Sequence, residues 1–506
     1  SRGAAGQARV AGTVPPSAFR CPFRRDCMLF PSVVFLAVFA PLFLVCYFAL
    51  PWRNLTFFLF SLAFFYWGEH KYIGVLLAFV AINYLFGLLV GRAERPERRK
   101  LLLGLGIGAN LSLLFYYKYF AFALTQVLPD LFGVSLGEVR EPHLPLGISY
   151  FTFHGISYLV DVYRKVATHS ASPLNVGLYI TMFPHMVAGP IIRYHTIAKA
   201  LVRRCITAGR IGFGLRLFVI GLAQKTLIAN NLGAVADRVF ALPGEALDAV
   251  AAWTGTVAYT LQIYFDFCGY SFMAIAIGVI LGFRLPRNFR YPYFSQSITE
   301  FWRRWHISLS TWFRDYLYIP LGGNRRGRAR TLVNLFAVFL LCGLWHGAAY
   351  TFVLWGMFHG LLLVIERLGL GRLLARLPRP LRHLYTMAAV LAGWVLFRAH
   401  DPGQALAFYR AMAGQSAADQ AAPFLHLVSH EQLLAFLLAF LFATPLVEQV
   451  FGRLRRLLAA GSGGALLPVA ARLRTGWRAV SLFTLFVLCY IYVLAGTYSP
   501  FLYFRF

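Results

Sequence analysis

From residue 331 to residue 365 the chain carries no Asp, Glu, Lys or Arg. Such a stretch belongs in a bilayer, where about 20 apolar residues cross a hydrocarbon core of about 30 Å. Backbone polar groups there must be satisfied within the segment, as a helix does. Similar runs lie near 29–50, 72–91, 101–124 (interrupted by Lys118), 142–160, 174–192, 249–283, 384–397, 431–447 and 479–504, and some are long enough for a hairpin of two spans. Of 506 residues, 59% are hydrophobic and only 13% charged, against about a quarter charged in soluble domains. The sequence therefore predicts an all-α polytopic membrane protein with about ten to twelve crossings, some of them re-entrant or tilted.

The formal net charge is +29, but Lys and Arg concentrate in connections at 92–100, 203–210, 284–290, 325–330, 367–382 and 453–478. That distribution follows the positive-inside rule and draws anionic membrane lipids, which excludes nucleic acid as the partner. Taking 92–100 as cytoplasmic places both termini outside. The seven cysteines, Cys21, Cys27, Cys46, Cys205, Cys268, Cys342 and Cys489, are scattered without metal-ligand spacing, so neither a disulfide framework nor a metal site is expected. Residues 1–27 are polar and contain Pro and Arg, whereas Met28 opens the first apolar run directly. They read as a non-native or disordered leader, with residues 28–506 as one transmembrane domain.

Residues 299–324 read Thr-Glu-Phe-Trp-Arg-Arg-Trp-His-Ile-Ser-Leu-Ser-Thr-Trp-Phe-Arg-Asp-Tyr-Leu-Tyr-Ile-Pro-Leu-Gly-Gly-Asn. Wound at about 100° per residue, Trp302, Trp305, Leu309, Trp312, Phe313 and Tyr316 share one arc, with Glu300, Arg303, Arg304, Arg314 and Asp315 opposite. The spacing predicts an amphipathic helix, with His306 half buried at the edge of the aromatic arc beside Thr299 and Ser310. One reading is an interfacial helix whose aromatics sit at headgroup level and whose arginines touch lipid phosphates. A catalytic role for His306 is compatible with it.

The uncharged run at 331–365 holds His346 in Gly-Leu-Trp-His-Gly and His359 in Phe-His-Gly. An imidazole inside a membrane is a functional candidate by default. A helix starting after Arg330 would carry His346 about 24 Å along, past the midplane. Gly343 and Gly347 leave room there for a substrate or an adjacent helix. For His359 the structural reading, a bond to a neighbouring helix, is preferred. Asp266 is the one charge between Asp248 and Arg284 and needs a partner, either an Arg of the aromatic helix or an imidazole. It would orient a histidine or lock two helices together. Pro184, Gly189 and Pro190 break the run 183–193 and argue against a straight helix. Irregular backbone at membrane depth must line protein or a water-filled cavity, so this segment is a candidate tunnel wall or a simple kink. Leu-Pro-Leu-Gly-Ile-Ser-Tyr-Phe-Thr-Phe at 144–153 has similar character. No phosphate loop, dinucleotide fingerprint or nucleophile elbow occurs.

These motifs resemble the membrane-bound O-acyltransferases, and within them the alginate O-acetyltransferase branch. The resemblance runs from about Met28 to Phe506. It rests on the segment from Leu285 to Asn324, on Gly-Leu-Trp-His-Gly at 343–347, on Met-Phe-Pro-His-Met-Val-Ala-Gly-Pro at 182–190, and on the terminal Pro-Phe-Leu-Tyr-Phe-Arg-Phe. It implies a helical bundle around a central tunnel in the bacterial inner membrane. An acyl group would pass from a cytoplasmic thioester, acetyl-CoA or another acyl thioester, to a hydroxyl on the periplasmic side. No permanently bound cofactor is implied.

By this resemblance His346 is the central catalytic histidine and His306 the second. Asp266, Trp305, Ser310, Trp345, Pro184, Gly189 and Pro190 are candidates for the tunnel or for substrate contact. The implied partners are an exported polysaccharide such as alginate and a separate periplasmic acetyltransferase. Three positions depart from the branch: Cys268 replaces a Ser, Phe272 an Asp, and His185 a Gln or similar residue. Alternatives are acylation of cellulose, peptidoglycan or teichoic acid with D-alanine. A transporter is disfavoured because neither histidine motif recurs as transporter repeats would require.

Overall fold

A computed structural model describes residues 28–134, 139, 142–415, 427–461 and 467–496. The expected leader at 1–27 and the terminal motif at 500–506 lie outside the described residues. The described chain is helical throughout, with no strand. Among the described residues, seven helices are long and apolar enough to cross a membrane: Arg53–Arg92, Pro96–Phe132, Ala208–Phe240, Ala249–Ile280, Gly327–His346, Tyr350–Arg376 and Gly476–Leu494. The pair His430–Phe442 and Leu446–Arg453, bent by 64°, would make an eighth. This is an all-α polytopic membrane protein.

Several of the apolar runs do not form single long helices. The run 29–50 yields the shorter helix Phe35–Ala49. Prolines and glycines cut 142–160 and 174–192 into Ile148–Tyr163, Pro173–Thr181 and Phe183–Met186, followed by irregular chain. Conversely, the sequence offers no uncharged run at Ala208–Phe240, a span whose apolar pattern is diluted by Arg210, Arg216, Lys225, Asp237 and Arg238.

Ala249–Ile280 is the central element and is buried over most of its length. It crosses the helix Ala208–Ala223 backbone to backbone: a Cβ on Gly269 would lie 2.6 Å from the Gly221 carbonyl, and one on Gly221 would lie 2.6 Å from that of Gly269. Small residues at a crossing are the usual means of close helix approach in lipid. One turn away Lys225 Nζ meets Asp266 Oδ1 at 2.6 Å, the side chains 1% and 2% exposed. The expectation of an Arg or His partner for Asp266 is thus corrected: its ion-pair partner is a lysine on the helix left uncounted. Phe272, where a second carboxylate was expected, sits at the same crossing, its Cβ 2.9 Å from where a Gly221 Cβ would be.

The run 331–365 folds as the hairpin Gly327–His346 and Tyr350–Ile365. A Cβ on Gly343 would fall 2.3 Å from the Phe352 carbonyl, and one on Gly347 would strike the Phe352 ring. The partner helix of the hairpin therefore fills the space these glycines open. Asn83 and Asn110, both fully buried, exchange side-chain hydrogen bonds of 3.0 and 3.1 Å between neighbouring helices, and Gly155 packs directly on them. This fixes Ile148–Tyr163 against the bundle.

Candidate active site

The aromatic segment is two short helices, Ile298–Arg304 and Ile307–Phe313, not one. Ser297 caps the first, its side chain accepting from the Glu300 N–H. The Glu366 carboxylate takes the N–H groups of Ile298 and Thr299 at 2.7 and 3.0 Å, where a helix start favours negative charge. The chain is extended at Trp305, and His306 enters the left-handed region at φ 42° and ψ 54°. Asn288 imposes the break. Its carbonyl accepts from the Ile307 N–H at 2.9 Å and its side chain from the Ser308 N–H at 3.3 Å, while its amide donates to Ser271 at 2.8 Å. A non-glycine residue in this conformation costs of order 1–3 kcal/mol, and such strain clusters at functional sites.

The aromatic face is not interfacial. Trp302, Trp305, Leu309, Trp312 and Phe313 are buried in protein, and Tyr316 is half buried. His306, expected at half burial, is only 2% exposed. Its ring stands 4.5 Å from that of Phe267 and 6.4 Å from that of Trp345, centroid to centroid. His346 is the last residue of its helix and 9% exposed. Its ring packs on Trp345, Trp355 and Phe397 at 4.8, 5.1 and 5.0 Å. The two imidazoles thus share Trp345 as a neighbour. Phe153 stacks on Trp345 at 5.1 Å, and the Trp312 indole donates to the Phe153 carbonyl at 3.2 Å. The buried indole N–H groups of Trp345 and Trp355 have no hydrogen-bond acceptor among the described residues.

The other candidates divide. Ser310 lines a cavity of about 440 Å³ together with Arg303, Arg314, Arg367, Glu366, Phe339 and Leu363. Three ring contacts lead from that cavity to His346: Phe339 to Trp302 at 5.0 Å, Trp302 to Trp355 at 5.5 Å, and Trp355 to His346. Trp305 sits in an aromatic cluster with Phe289 and Trp394, at 5.0 and 4.8 Å. Asp266 is held in its ion pair with Lys225.

The segment with Pro184, Gly189 and Pro190 is fully buried. Side chains satisfy its irregular backbone: the Ile191 N–H donates to Ser308 at 2.9 Å, the Ile192 N–H to His154 at 3.3 Å, and the Tyr179 hydroxyl to the Ile192 carbonyl at 2.7 Å. Gly189 approaches so closely that a Cβ there would lie 2.3 Å from the Pro184 carbonyl. Ser308 therefore joins this segment to the strained turn at His306. His359 packs on Trp302 and Trp355, both at 5.1 Å, and a Cβ on Gly393 would come within 2.5 Å of its Nε2. These are packing contacts, and its Nδ1 makes no hydrogen bond among the described residues, so the expected bond to a neighbouring helix is not what holds it.

Sequence reasoning gave no role to Asn288, Ser308, Trp355, His154 or Lys118. Of these only Lys118, a charge inside an apolar run, carried a signal of its own.

The model of the "MBOAT, membrane-bound O-acyltransferase family" matches residues 146–397, which hold both histidines and every ring described around them. The chain is 42% identical over 393 residues to the probable alginate O-acetylase AlgI of Pseudomonas putida, covering 76% of this chain and 80% of the relative. It is 34% identical over 424 residues to the peptidoglycan O-acetyltransferase of Helicobacter pylori, again covering 76% and 80%. The teichoic acid D-alanyltransferase of Bacillus subtilis is 32% identical over 250 residues, covering 44% of this chain and 60% of the relative. With this identity over most of its length, the chain belongs to the membrane-bound O-acyltransferase family.

Proposed function

We propose that this chain is the membrane component of a polysaccharide O-acetylation system in the bacterial inner membrane. It takes an acetyl group from acetyl-CoA on the cytoplasmic side and delivers it through a tunnel in the bundle to a hydroxyl on the periplasmic side. The observation that carries this proposal is the pair of buried imidazoles, His306 and His346, that share Trp345 as a neighbour.

A neutral imidazole of His346 accepts the proton of the acceptor hydroxyl as its oxygen attacks the thioester carbonyl. The new C–O bond forms, the C–S bond breaks, and the leaving thiolate takes the proton back from the imidazolium as the free thiol. His306, which also neighbours Trp345, holds the acceptor by a hydrogen bond. Burial excludes water that would otherwise hydrolyse the thioester. The indole N–H groups of Trp345 and Trp355 are suited to an acceptor such as the acyl carbonyl. On the donor side, the cavity of Arg303, Arg314 and Arg367 suits a phosphate-bearing thioester, and it adjoins the basic connections at 325–330 and 367–382 that mark the cytoplasmic face.

The acceptor is drawn from the relatives. The alginate O-acetylase shares more identity than the peptidoglycan enzyme at equal coverage, which favours an alginate-type exported polysaccharide. The acetyl group goes either to the polymer directly or to a periplasmic acetyltransferase partner that passes it on.

The test is the acetyl content of exported polysaccharide from a deletion strain complemented with the wild-type chain or with His346→Ala. Restoration by the wild type alone supports acyl transfer through His346 and names the polymer. Restoration by both would make the protein a scaffold or channel, and a change in D-alanine instead of acetate would replace the acyl group.

A further inference from the structure

Lys118 interrupts an otherwise uncharged run, and an ammonium at membrane depth is costly unless it has a task. Its Nζ donates to the carbonyl of Trp345 and, at 3.2 Å, to that of His346, and it lies 5.9 Å from the centre of the Trp345 ring. The next residue, Tyr119, donates its hydroxyl to the Leu344 carbonyl at 2.9 Å.

These bonds complete an account. A helix leaves its last four carbonyls without intrahelical partners, and Gly327–His346 ends at His346. The Gly343 carbonyl receives the Gly347 N–H. Those of Leu344, Trp345 and His346 are taken by Tyr119 and Lys118. A cation at this end also matches the helix dipole.

We propose that Lys118 is a positioning residue for His346. It holds the last turn of the helix closed, so that the imidazole stays packed against Trp345, Trp355 and Phe397. This rests on the assignment of His346 as general base. Lys118 itself contacts backbone carbonyls, not the reacting atoms. One turn earlier the helix is held independently by the close approach of Gly343 to Phe352 and Gly356. Loss of Lys118 therefore frees the terminal turn while the hairpin stays assembled.

The experiment uses the full chain in inverted membrane vesicles supplied with labelled acetyl-CoA. Lys118→Met should lower kcat by about 10- to 100-fold while KM for acetyl-CoA stays within about twofold, at wild-type membrane level and unfolding temperature. Lys118→Arg, which keeps the charge and the donors, should recover most of the rate. If Lys118→Met does not accumulate, Lys118→Gln carries the test. Its shorter side chain cannot span both carbonyls, so kcat should fall with KM held. Wild-type kcat in the Met or Gln variant, alongside an inactive His346→Ala, would overturn the positioning role. So would a rate that falls only in proportion to folded protein. Activity in His346→Ala would instead defeat the catalytic assignment beneath it.

Discussion

The Asn288 carbonyl takes the N–H of the residue after His306, and with the Asn288 side chain on Ser308 it holds His306 in the left-handed region at φ 42°. Asn288→Ala keeps the backbone bond but strips the Ser308 N–H and Ser271 of their partner in a buried setting, at a cost of about 1–3 kcal/mol. The expected result is a modest drop in unfolding temperature with a kcat loss of about tenfold or more as His306 drifts. Steady-state kinetics beside thermal unfolding in detergent would show whether the two effects separate in this way.

Lys225 and Asp266 form the buried ion pair at the Gly221–Gly269 crossing. Removing one partner leaves a charge without compensation, which typically costs about 3–5 kcal/mol, whereas an apolar pair of similar volume is often neutral. Lys225→Met and Asp266→Leu should each be strongly destabilised, and the double variant should regain most of the loss. Thermal unfolding of the four proteins reads this directly. A double variant no better than the singles would show that the pair does more than join two helices.

His306 and His359, which neighbour Trp345 and Trp302 respectively, should behave differently. His306→Ala should be severe, because the strained turn presents that ring beside Trp345. His359→Ala removes a ring packed between Trp302, Trp355 and Gly393, so it should cost stability and little acetyl transfer. Equal loss of polymer acetylation in both variants at matched membrane levels would place His359 in the chemistry.

At the arginine-lined cavity, Arg303→Ala should raise KM for acetyl-CoA with kcat nearly unchanged, the mark of lost ground-state binding. Arg303 lines the cavity together with Arg314 and Arg367, so the triple substitution should raise KM further and flatten its dependence on salt. An unchanged KM in the triple variant would move the donor's phosphates elsewhere.

Much of this was legible because it was local. Uncharged runs announced helices, and the histidines at 306 and 346 stood out beside tryptophans in the motifs that carry the family resemblance. What stayed hidden depends on distant partners. Charges on the helix Ala208–Phe240 concealed a span, and two of them find their counterparts far along the chain: Lys225 with Asp266, and Asp237 with Arg398, 161 residues on, at 2.6 Å. No Gly or Pro marks the break at His306, since Asn288 imposes it from another segment. Lys118 was visible as an intruder, but its task appears only where a separate helix ends.

The central claim is that His346 drives acetyl transfer across the membrane. Its most direct test is inverted vesicles given labelled acetyl-CoA on the exposed cytoplasmic face, with label followed into acceptor sealed in the lumen. Wild type should move acetyl to the lumenal acceptor and release free CoA in equal amount, and His346→Ala at the same membrane level should do neither. Sustained lumenal label from His346→Ala would contradict the account.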